Sequence, residues 1–487
     1  MQSAIINAVS CHSSNLNIPA FIMRTFTPLG SISFALSALA APSAKIFEPS
    51  SFAARDVITR DFAIVGGGAA GTYAAVAFKD QGKSFVMVEK TDRLGGHAMT
   101  YEDPVTGGSV DYGVQLYDND TIVRNFFKRL NTPLADVAFS SFGNPVYSDF
   151  KTGTLLNLTT GSLHQDYLDE LAKYPYLNNG IDLPNPVPED LLLPWVDYIT
   201  KYNLQDSAMS TLARPAVPGH LLDIPALYVF NDLNDLMLHE DSGAAVRNAN
   251  RDNSELYRNA FTELSADVLL NSTVVSGDRN VVGSHPVRLV VKTPTGKKLI
   301  VAKQLIVGIP PTIKNMKSFG LDTRETQVLS QIYGLPYYGG VVNNTGLASG
   351  TSYKNYATNN TYNVADIPSV VSFNPSSVDG LLYYWYNSVT PVSQKRIEKD
   401  ARQAIKMLQK VTGAATRPEP QFLAFSDFGP FHLAAEVEDI RNGFYRDMYA
   451  LQGYLNTWYT GTLFVPGSSQ VWNNTANMLP NIMAAAK

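Results

Sequence analysis

The chain has 487 residues, with 38 basic against 43 acidic side chains, 45% apolar residues and a single cysteine. At roughly 100–200 residues per domain, this is enough chain for two or three domains with large cores and no covalent staples, which excludes a disordered protein. A net charge of −5 gives no general attraction for phosphate backbones, so no nucleic-acid partner is expected, and one thiol cannot form an intramolecular disulfide, a CxxC pair or a thiolate zinc cluster.

Residues 26–41, FTPLGSISFALSALAA, form a mostly apolar run behind Arg24 and are followed by small residues at Ala38, Ala40 and Ala44. This is the pattern of a cleaved secretory signal, and at about 16 residues the run is too short and polar for a stable membrane span. Residues 1–44 therefore read as a leader. Met23-Arg24 makes a conventional signal start, which leaves residues 1–22 as an upstream extension or a misassigned start. Cys11 leaves with the leader, so the mature chain enters an oxidising compartment without thiols. Six Asn-X-Ser/Thr sequons, at Asn119, Asn157, Asn271, Asn343, Asn359 and Asn473, agree with secretion and a glycoprotein.

Residues 61–65, DFAIV, read as a buried parallel strand. Gly66-Gly-Gly68-Ala69-Ala70-Gly71 follows at once, then a helix over residues 72–79, a break at Gln81-Gly82, and a second strand over 84–88 that ends in Glu89-Lys90. Strand, GxGxxG, helix, strand and acid in that order make a dinucleotide-binding unit of Rossmann type. Gly66 permits the turn, Gly68 lets backbone approach a pyrophosphate, Gly71 allows close helix packing, and Glu89 accepts from the adenosine ribose. The positive end of the helix faces the phosphates, and Ala69 and Ala70 of the glycine turn are further candidate cofactor contacts.

Downstream, Arg93-Leu-Gly95-Gly96-His97-Ala-Met-Thr100 and Val110-Asp-Tyr-Gly113-Val114-Gln115 resemble two cofactor-contacting segments of the flavin amine oxidase superfamily. Gly95-Gly96 would offer bare N–H groups and Arg93 a cation to one diphosphate, a second clamp that nicotinamide domains do not need. The resemblance implies FAD as cofactor. Where most of the superfamily has a second arginine, this chain has His97. Three roles stay open for it: a structural histidine near the flavin, a pH-sensitive contact, or a covalent flavin link.

A helix over residues 253–264 and a strand over 268–275 follow, then strands around 287–291 and 299–307 joined by a turn at 293–296. The resemblance places Val274 at the adenine. Near the C-terminus, residues 451–461 and Ser468-Ser469-Gln470 are similar to the superfamily's closing strand, glycine and helix, which makes Gly461, Ser469 and Gln470 candidate cofactor contacts. Such a helix aims its positive end at the reduced flavin's anionic edge. The Gly-Gly-His-Ala run, residues 110–115, Gly443-Phe-Tyr445 and Trp458-Tyr459-Thr-Gly461 also resemble the β-cyclopiazonate dehydrogenase-like secreted fungal FAD oxidoreductases, which implies oxidation of a secondary metabolite.

The expected fold is a mixed α/β protein: a Rossmann-type FAD domain from residues 56–115, 236–315 and 441–487, interleaved with an amine-oxidase-like substrate domain. That second domain would be helical over 116–235 and an antiparallel sheet over 316–440. In the extended run Leu381-Leu-Tyr-Tyr-Trp-Tyr386, Tyr384 and Tyr386 face one way and Tyr383 and Trp385 the other, so at most half can line a pocket for an apolar or aromatic small molecule. Trp458, Tyr459, His432 and His97 are the candidate catalytic residues, His432 as the acid or base outside the flavin loop. No metal spacing occurs. The expected reaction is hydride removal from a C–H carbon to FAD, with O2 or another acceptor reoxidising it. A double-bond isomerase, a non-catalytic flavin carrier and a flavin-free NAD dehydrogenase are the rival readings.

Overall fold

Apolar side chains on both faces of residues 62–65 demand cover on both sides, and the chain supplies it by building a layered α/β unit around them. The computed structural model describes residues 44–137, 144–158, 165–212, 220–234, 245–279 and 286–487. The expected leader lies outside the described residues except for Ala44. Residues 45–487 form one compact unit.

In chain order the principal elements are β1 (Val57–Val65), α1 (Ala69–Asp80), β2 (Phe85–Val88), α2 (Thr121–Arg129), β3 (Asn144–Ser148), α3 (Trp195–Tyr202), α4 (Ala226–Asp232) and α5 (Ser254–Leu264). There follow β4 (Val268–Leu269), β5 (Thr273–Asp278), β6 (Val287–Thr293), β7 (Gly296–Val307), β8 (Tyr337–Asn343), β9 (Thr351–Asn355), β10 (Ser369–Pro375) and β11 (Leu382–Asn387). The last are α6 (Gln394–Val411), β12 (Gln421–Asp427), β13 (Thr457–Tyr459) and α7 (Ser468–Ala485).

Among the described residues, the first sheet runs β4-β2-β1-β7-β6-β5, with β13 added beside the end of β7. β4, β2, β1, β7 and β13 are parallel, and β5, β6 and β7 form an antiparallel meander. Helices α1, α5, α7 and α2 cover one face. There Phe62 stacks on Phe78 at 4.0 Å and Phe126 meets Trp472 edge-on at 4.9 Å. The other face packs Ala63, Val65, Val86 and Val88 against α3 and α4, through a core that includes Trp195, Tyr198 and Phe230. The strand expected over 268–275 is in fact two. Asn271 takes φ 50°, and the N–H groups of Asn271 and Ser272 donate to Thr91 and Glu89, so the chain leaves the β2 edge and re-enters the sheet beside β6.

The second sheet runs β12-β8-β11-β10-β9-β3 and ends on a short strand at Leu155–Leu156; all its pairs are antiparallel except β9 with β3. Its period-2 pattern sorts β11 cleanly. Tyr384 and Tyr386 pack with Ile397, Ala401, Ile405 and Leu408 of the amphipathic α6, while Tyr383 and Trp385 join Val110, Tyr112, Tyr337 and Phe428 on the opposite face. That opposite face looks toward the cofactor loops of the first sheet.

Candidate active site

β1 delivers Gly66 at φ 103°, and the Gly66 N–H donates to the Val88 carbonyl at 2.9 Å, tying the turn to β2. A side chain at Gly71 would put its Cβ 1.9 Å from the Gly66 carbonyl oxygen, so only glycine lets α1 start this close to the strand. Gly68 is the helix N-cap and brings no side-chain cap. The N–H groups of Ala69, Ala70 and Gly71 have no partner within the helix and make an anion site of the kind expected.

Glu89 closes this cradle. Its carboxylate is 8% exposed, and accepts from the Gly67 N–H at 2.7 Å on Oε2 and from the Thr91 N–H and hydroxyl at 2.8 Å on Oε1. The two oxygens offer about four lone-pair directions between them and three are used, so capacity remains for a ribose hydroxyl. Lys90 is exposed.

The second glycine segment lies directly across. Gly95 donates its N–H to the Gly67 carbonyl at 2.8 Å and has φ 110°, and a Cβ on Gly96 would stand 3.1 Å from Gly68 Cα. Two bare backbones therefore face each other, as a diphosphate held from both sides requires. Arg93 behaves differently from expectation. Its guanidinium donates to the carbonyls of Leu94 at 2.9 Å, Ala98 at 3.0 Å and Gly96 at 2.7 Å, and also contacts the Met99 sulfur. In this structure it holds the loop's shape, because three carbonyls left over by two left-handed glycines converge on one cation.

Val114 donates its N–H to the His97 carbonyl at 3.1 Å, and a Cβ on Gly113 would sit 1.9 Å from that same oxygen. Gly113 thus locks the loop carrying His97 onto the 110–115 segment. Asp111 beside it is half-buried; Oδ1 accepts from Thr100 Oγ1 at 2.5 Å and the Asn253 N–H at 3.0 Å, and desolvation pushes its carboxyl up to about 7.

His97 carries the cofactor loop to an aromatic wall. Its ring meets Phe428 edge-on at 5.3 Å and stacks on Phe431 at 5.6 Å, and Phe431 packs on Tyr337 at 4.8 Å. The Trp385 indole N–H donates to the Tyr112 carbonyl at 3.3 Å and its ring meets Tyr383 at 5.4 Å. Burial, with the neighbouring charges of Lys90 and Arg93, pushes the His97 imidazole down to about 4, so it is neutral at pH 7. His432 borders the same region. It meets the Tyr228 ring edge-on at 5.1 Å, and burial pushes it down to about 4 as well. The Tyr228 hydroxyl is fixed by the Ala435 N–H at 2.8 Å and the Tyr445 hydroxyl at 3.1 Å.

At the far end, α7 begins with Gly467 as N-cap. The side chains of Ser469 and Gln470 point into protein. Ser469 Oγ accepts from the Asp118 N–H at 2.9 Å, while Gln470 accepts from the Gly467 N–H and donates to Asn234 Oδ1, each at 3.0 Å. Only their backbone N–H groups are left for a ligand. Gly461 is buried, with φ 110°, yet a Cβ there would meet no atom within 4 Å. Buried backbone beside open space, two opposed glycine loops and an uncapped helix end together fit FAD, with Gly66 to Gly71, Glu89, Gly95-Gly96, Gly461 and the start of α7 as its seats. Val274 is half-buried on the meander, paired with Val291.

Two expected catalytic residues lie away from that aromatic wall. Tyr459 is 1% exposed and its hydroxyl donates to Glu325 at 2.9 Å inside a closed ion-pair network. Trp458 donates its indole N–H to Gln304 at 2.9 Å and lines a crevice with Tyr176, Phe464 and Met478. Neither joins the aromatic wall, because β13 pairs with β7 in the first sheet and its side chains enter the layers flanking that sheet. Conversely, Tyr337, Phe431 and Asp232 escaped sequence reasoning. A carboxylate closing the apolar run Ala226-Leu-Tyr-Val-Phe230 was the available signal for Asp232.

A family model described as an NAD(P)-binding Rossmann-like domain matches residues 64–130. The chain is 66% identical over 464 residues to the FAD-dependent oxidoreductase dbaF of Emericella nidulans, covering 95% of this chain and 99% of that relative. It is 38% identical to the FAD-dependent oxidoreductase pigF of Monascus ruber, covering 95% and 99%, and 30% identical to beta-cyclopiazonate dehydrogenase of Aspergillus oryzae, covering 89% and 95%. Among solved structures, a fatty acid isomerase from P. acnes superposes with TM-score 0.67 at 16% identity, covering 87% of this chain and 98% of the other. The cyclohexylamine oxidase of Brevibacterium oxydans gives 0.63 at 16%, covering 88% and 98%. At these identities the two structures establish shared fold.

Proposed function

Because the chain belongs to the family of FAD-dependent oxidoreductases that includes dbaF and pigF, we propose that it oxidises a C–H carbon of an apolar or aromatic metabolite bound against the wall of Tyr337, Trp385, Phe428 and Phe431. The observation that carries this reading is the continuous ring contact from His97, on the cofactor loop, through Phe431 to Tyr337. A flat substrate stacked there lies beside the cofactor segment and shielded from water. FAD, when bound, supplies a two-electron acceptor for the hydride, and O2 or another acceptor restores it.

The residues' own work is positional. The glycine loops and the α1 N-terminus hold the diphosphate, the α7 N-terminus favours negative charge at the far end, and the wall orients the substrate and excludes water. Two neutral imidazoles place no fixed cation in the wall, which suits an uncharged ring system. Purified protein is expected to show bands at roughly 370 and 450 nm, and the 450 nm band should bleach anaerobically with a member of a panel of amines, alcohols, indoles and polyketides. A bound flavin that every member leaves oxidised, while one of them is isomerised, would replace the redox reading with the double-bond isomerase.

The same proposal places the enzyme in the secretory pathway. Residues 26–44 support it, as do the exposed positions of the sequons at Asn157, Asn271 and Asn359. Protein recovered from a fungal culture medium should begin near residue 45 and should gain mobility on endoglycosidase treatment. Intact residues 1–44 on an unglycosylated intracellular chain would refute this.

A further inference from the structure

Asp232 ends α4, a helix buried along its whole length. Its side chain is 9% exposed, and no hydrogen bond joins its carboxyl to another described residue. Burial alone pushes it up to about 7. A buried carboxyl with no hydrogen bond among the described residues is uncommon in a folded core, and such groups concentrate at functional sites.

Its position is tied to the site from two sides. Across from it stands Tyr337 of β8, close enough for the two groups to interact electrostatically; the Tyr337 hydroxyl also has no hydrogen bond to a described residue, and its ring is part of the wall. Two residues on, Asn234 receives the Gln470 amide of the α7 N-terminus at 3.0 Å. One helical turn earlier, Tyr228 carries His432 on its ring. Asp232 therefore lies between the aromatic wall and the helix end assigned to the flavin.

We propose that Asp232 is a catalytic residue that accepts the hydroxyl proton of an alcohol or hemiacetal substrate as the carbon bearing that hydroxyl is oxidised. The inference rests on the FAD-dependent oxidation proposed above and names its substrate class. One C–H and one O–H bond break and a C=O bond forms. The hydride leaves with its electron pair to FAD, and the proton goes to a carboxylate oxygen of Asp232. Tyr337 donates to the substrate oxygen or to the carboxylate and keeps both in line. A group that gains and loses its proton near neutrality suits such exchange better than permanent capture of an ammonium, which calls for a fully ionised carboxylate.

Among the described residues, Tyr337 of β8 is in electrostatic reach of Asp232, with Tyr383 beside Tyr337, and Tyr228, one turn earlier on the same helix, carries His432 on its ring. Burial raises all three tyrosines well above neutral pH and lowers the histidine, so none titrates with it. Asp111, on the cofactor side, is held in the same range and is the necessary control.

The test uses the FAD-loaded enzyme and the isosteric variants Asp232→Asn and Asp111→Asn. The pH dependence of the flavin midpoint potential is measured by dye-coupled reduction without substrate. Wild type should show a break near pH 7, above which the slope steepens by one proton per two electrons. Asp232→Asn should lose that break and Asp111→Asn keep it. Anaerobic reduction by benzyl alcohol and by any alcohol active in the panel should slow by about 10²–10⁴-fold in Asp232→Asn at unchanged flavin content. Persistence of the break in Asp232→Asn, its loss in Asp111→Asn alone, or an Asp232→Asn rate within threefold of wild type overturns the proposal. Failure of every compound to reduce the wild-type flavin instead counts against the oxidation reading itself, with the potential measurement still deciding whether Asp232 titrates beside the flavin. If Asp232→Asn does not fold, Asp232→Glu should retain the break with a shifted midpoint, and a wild-type midpoint there is the overturning result.

Discussion

Replacing Gly71 by alanine should abolish FAD binding and destabilise the apoprotein as well. The added Cβ falls 1.9 Å from the Gly66 carbonyl oxygen and 3.1 Å from its carbon, both main-chain atoms of the turn that leaves β1, so no side chain can swing aside. Relief requires α1 to move off the strand. That opens the packing of Ala74, Ala75 and Phe78 on Phe62 and Ile64, at a cost of about 1–3 kcal/mol from overpacking alone. Loss of a cofactor held at 1,000 times its dissociation constant removes about 4 kcal/mol more by linkage. Gly68→Ala is the informative companion. Its Cβ meets only Gly96 Cα, at 3.8 Å, and Gly68 sits at φ −75°, so the apoprotein should keep its stability while the methyl group blocks the diphosphate. The 450-to-280 nm absorbance ratio and melting with and without FAD separate the two variants. Wild-type flavin content in Gly71→Ala would refute the account of the turn.

The second large effect is expected far from the wall, at Arg279 and Glu325. Both side chains are 0% exposed and meet in a fork, Arg279 Nη1 to Glu325 Oε1 at 2.7 Å and Nη2 to Oε2 at 2.6 Å. Arg279 also donates to Thr457 Oγ1 at 3.0 Å and to the Phe319 carbonyl at 2.7 Å, and Tyr459 donates to Glu325 at 2.9 Å. One pair thus ties the residue after β5 and the helix Thr323–Leu329 to β13, the strand that carries Gly461 into place. Glu325→Ala or Arg279→Ala leaves an uncompensated charge in the core and should cost about 3–5 kcal/mol. The double variant Arg279→Met with Glu325→Leu should recover much of that, since the desolvation cost of two ions disappears with them. Urea midpoints of the four proteins measure it, and a single-variant loss below about 1 kcal/mol would show the pair to be dispensable. Tyr459→Phe removes one hydrogen bond, about 1 kcal/mol, and should leave flavin reduction untouched, as its place in the ion-pair network requires.

The cofactor half was legible in the chain because its chemistry is local. Gly66, Gly68, Gly71 and Glu89 lie within one strand-turn-helix-strand unit, and a glycine's conformational freedom is a property of the residue itself. The two faces of β11 were readable for the same reason, since side-chain alternation along a strand needs no partner to define it. Arg93's hold on the loop was not legible, because its partners are backbone carbonyls whose direction depends on the left-handed angles of Gly95 and Gly96. The layers that Trp458 and Tyr459 enter were not legible, because the same alternating pattern serves either sheet and only pairing with β7 decides between them.

Asp232 marks the boundary. It ends an apolar stretch in a run of Asn and Asp that reads as an ordinary polar helix end, while Tyr337 of β8 beside it, and the start of α7 held by Asn234, come from more than 100 residues away. The dinucleotide cradle is written into residues 66–89, since main-chain geometry there is dictated residue by residue. Which rings stand beside that cradle, and which carboxyl is stripped of water among them, depends on the packed fold, because burial is a property of what the rest of the chain folds around a residue.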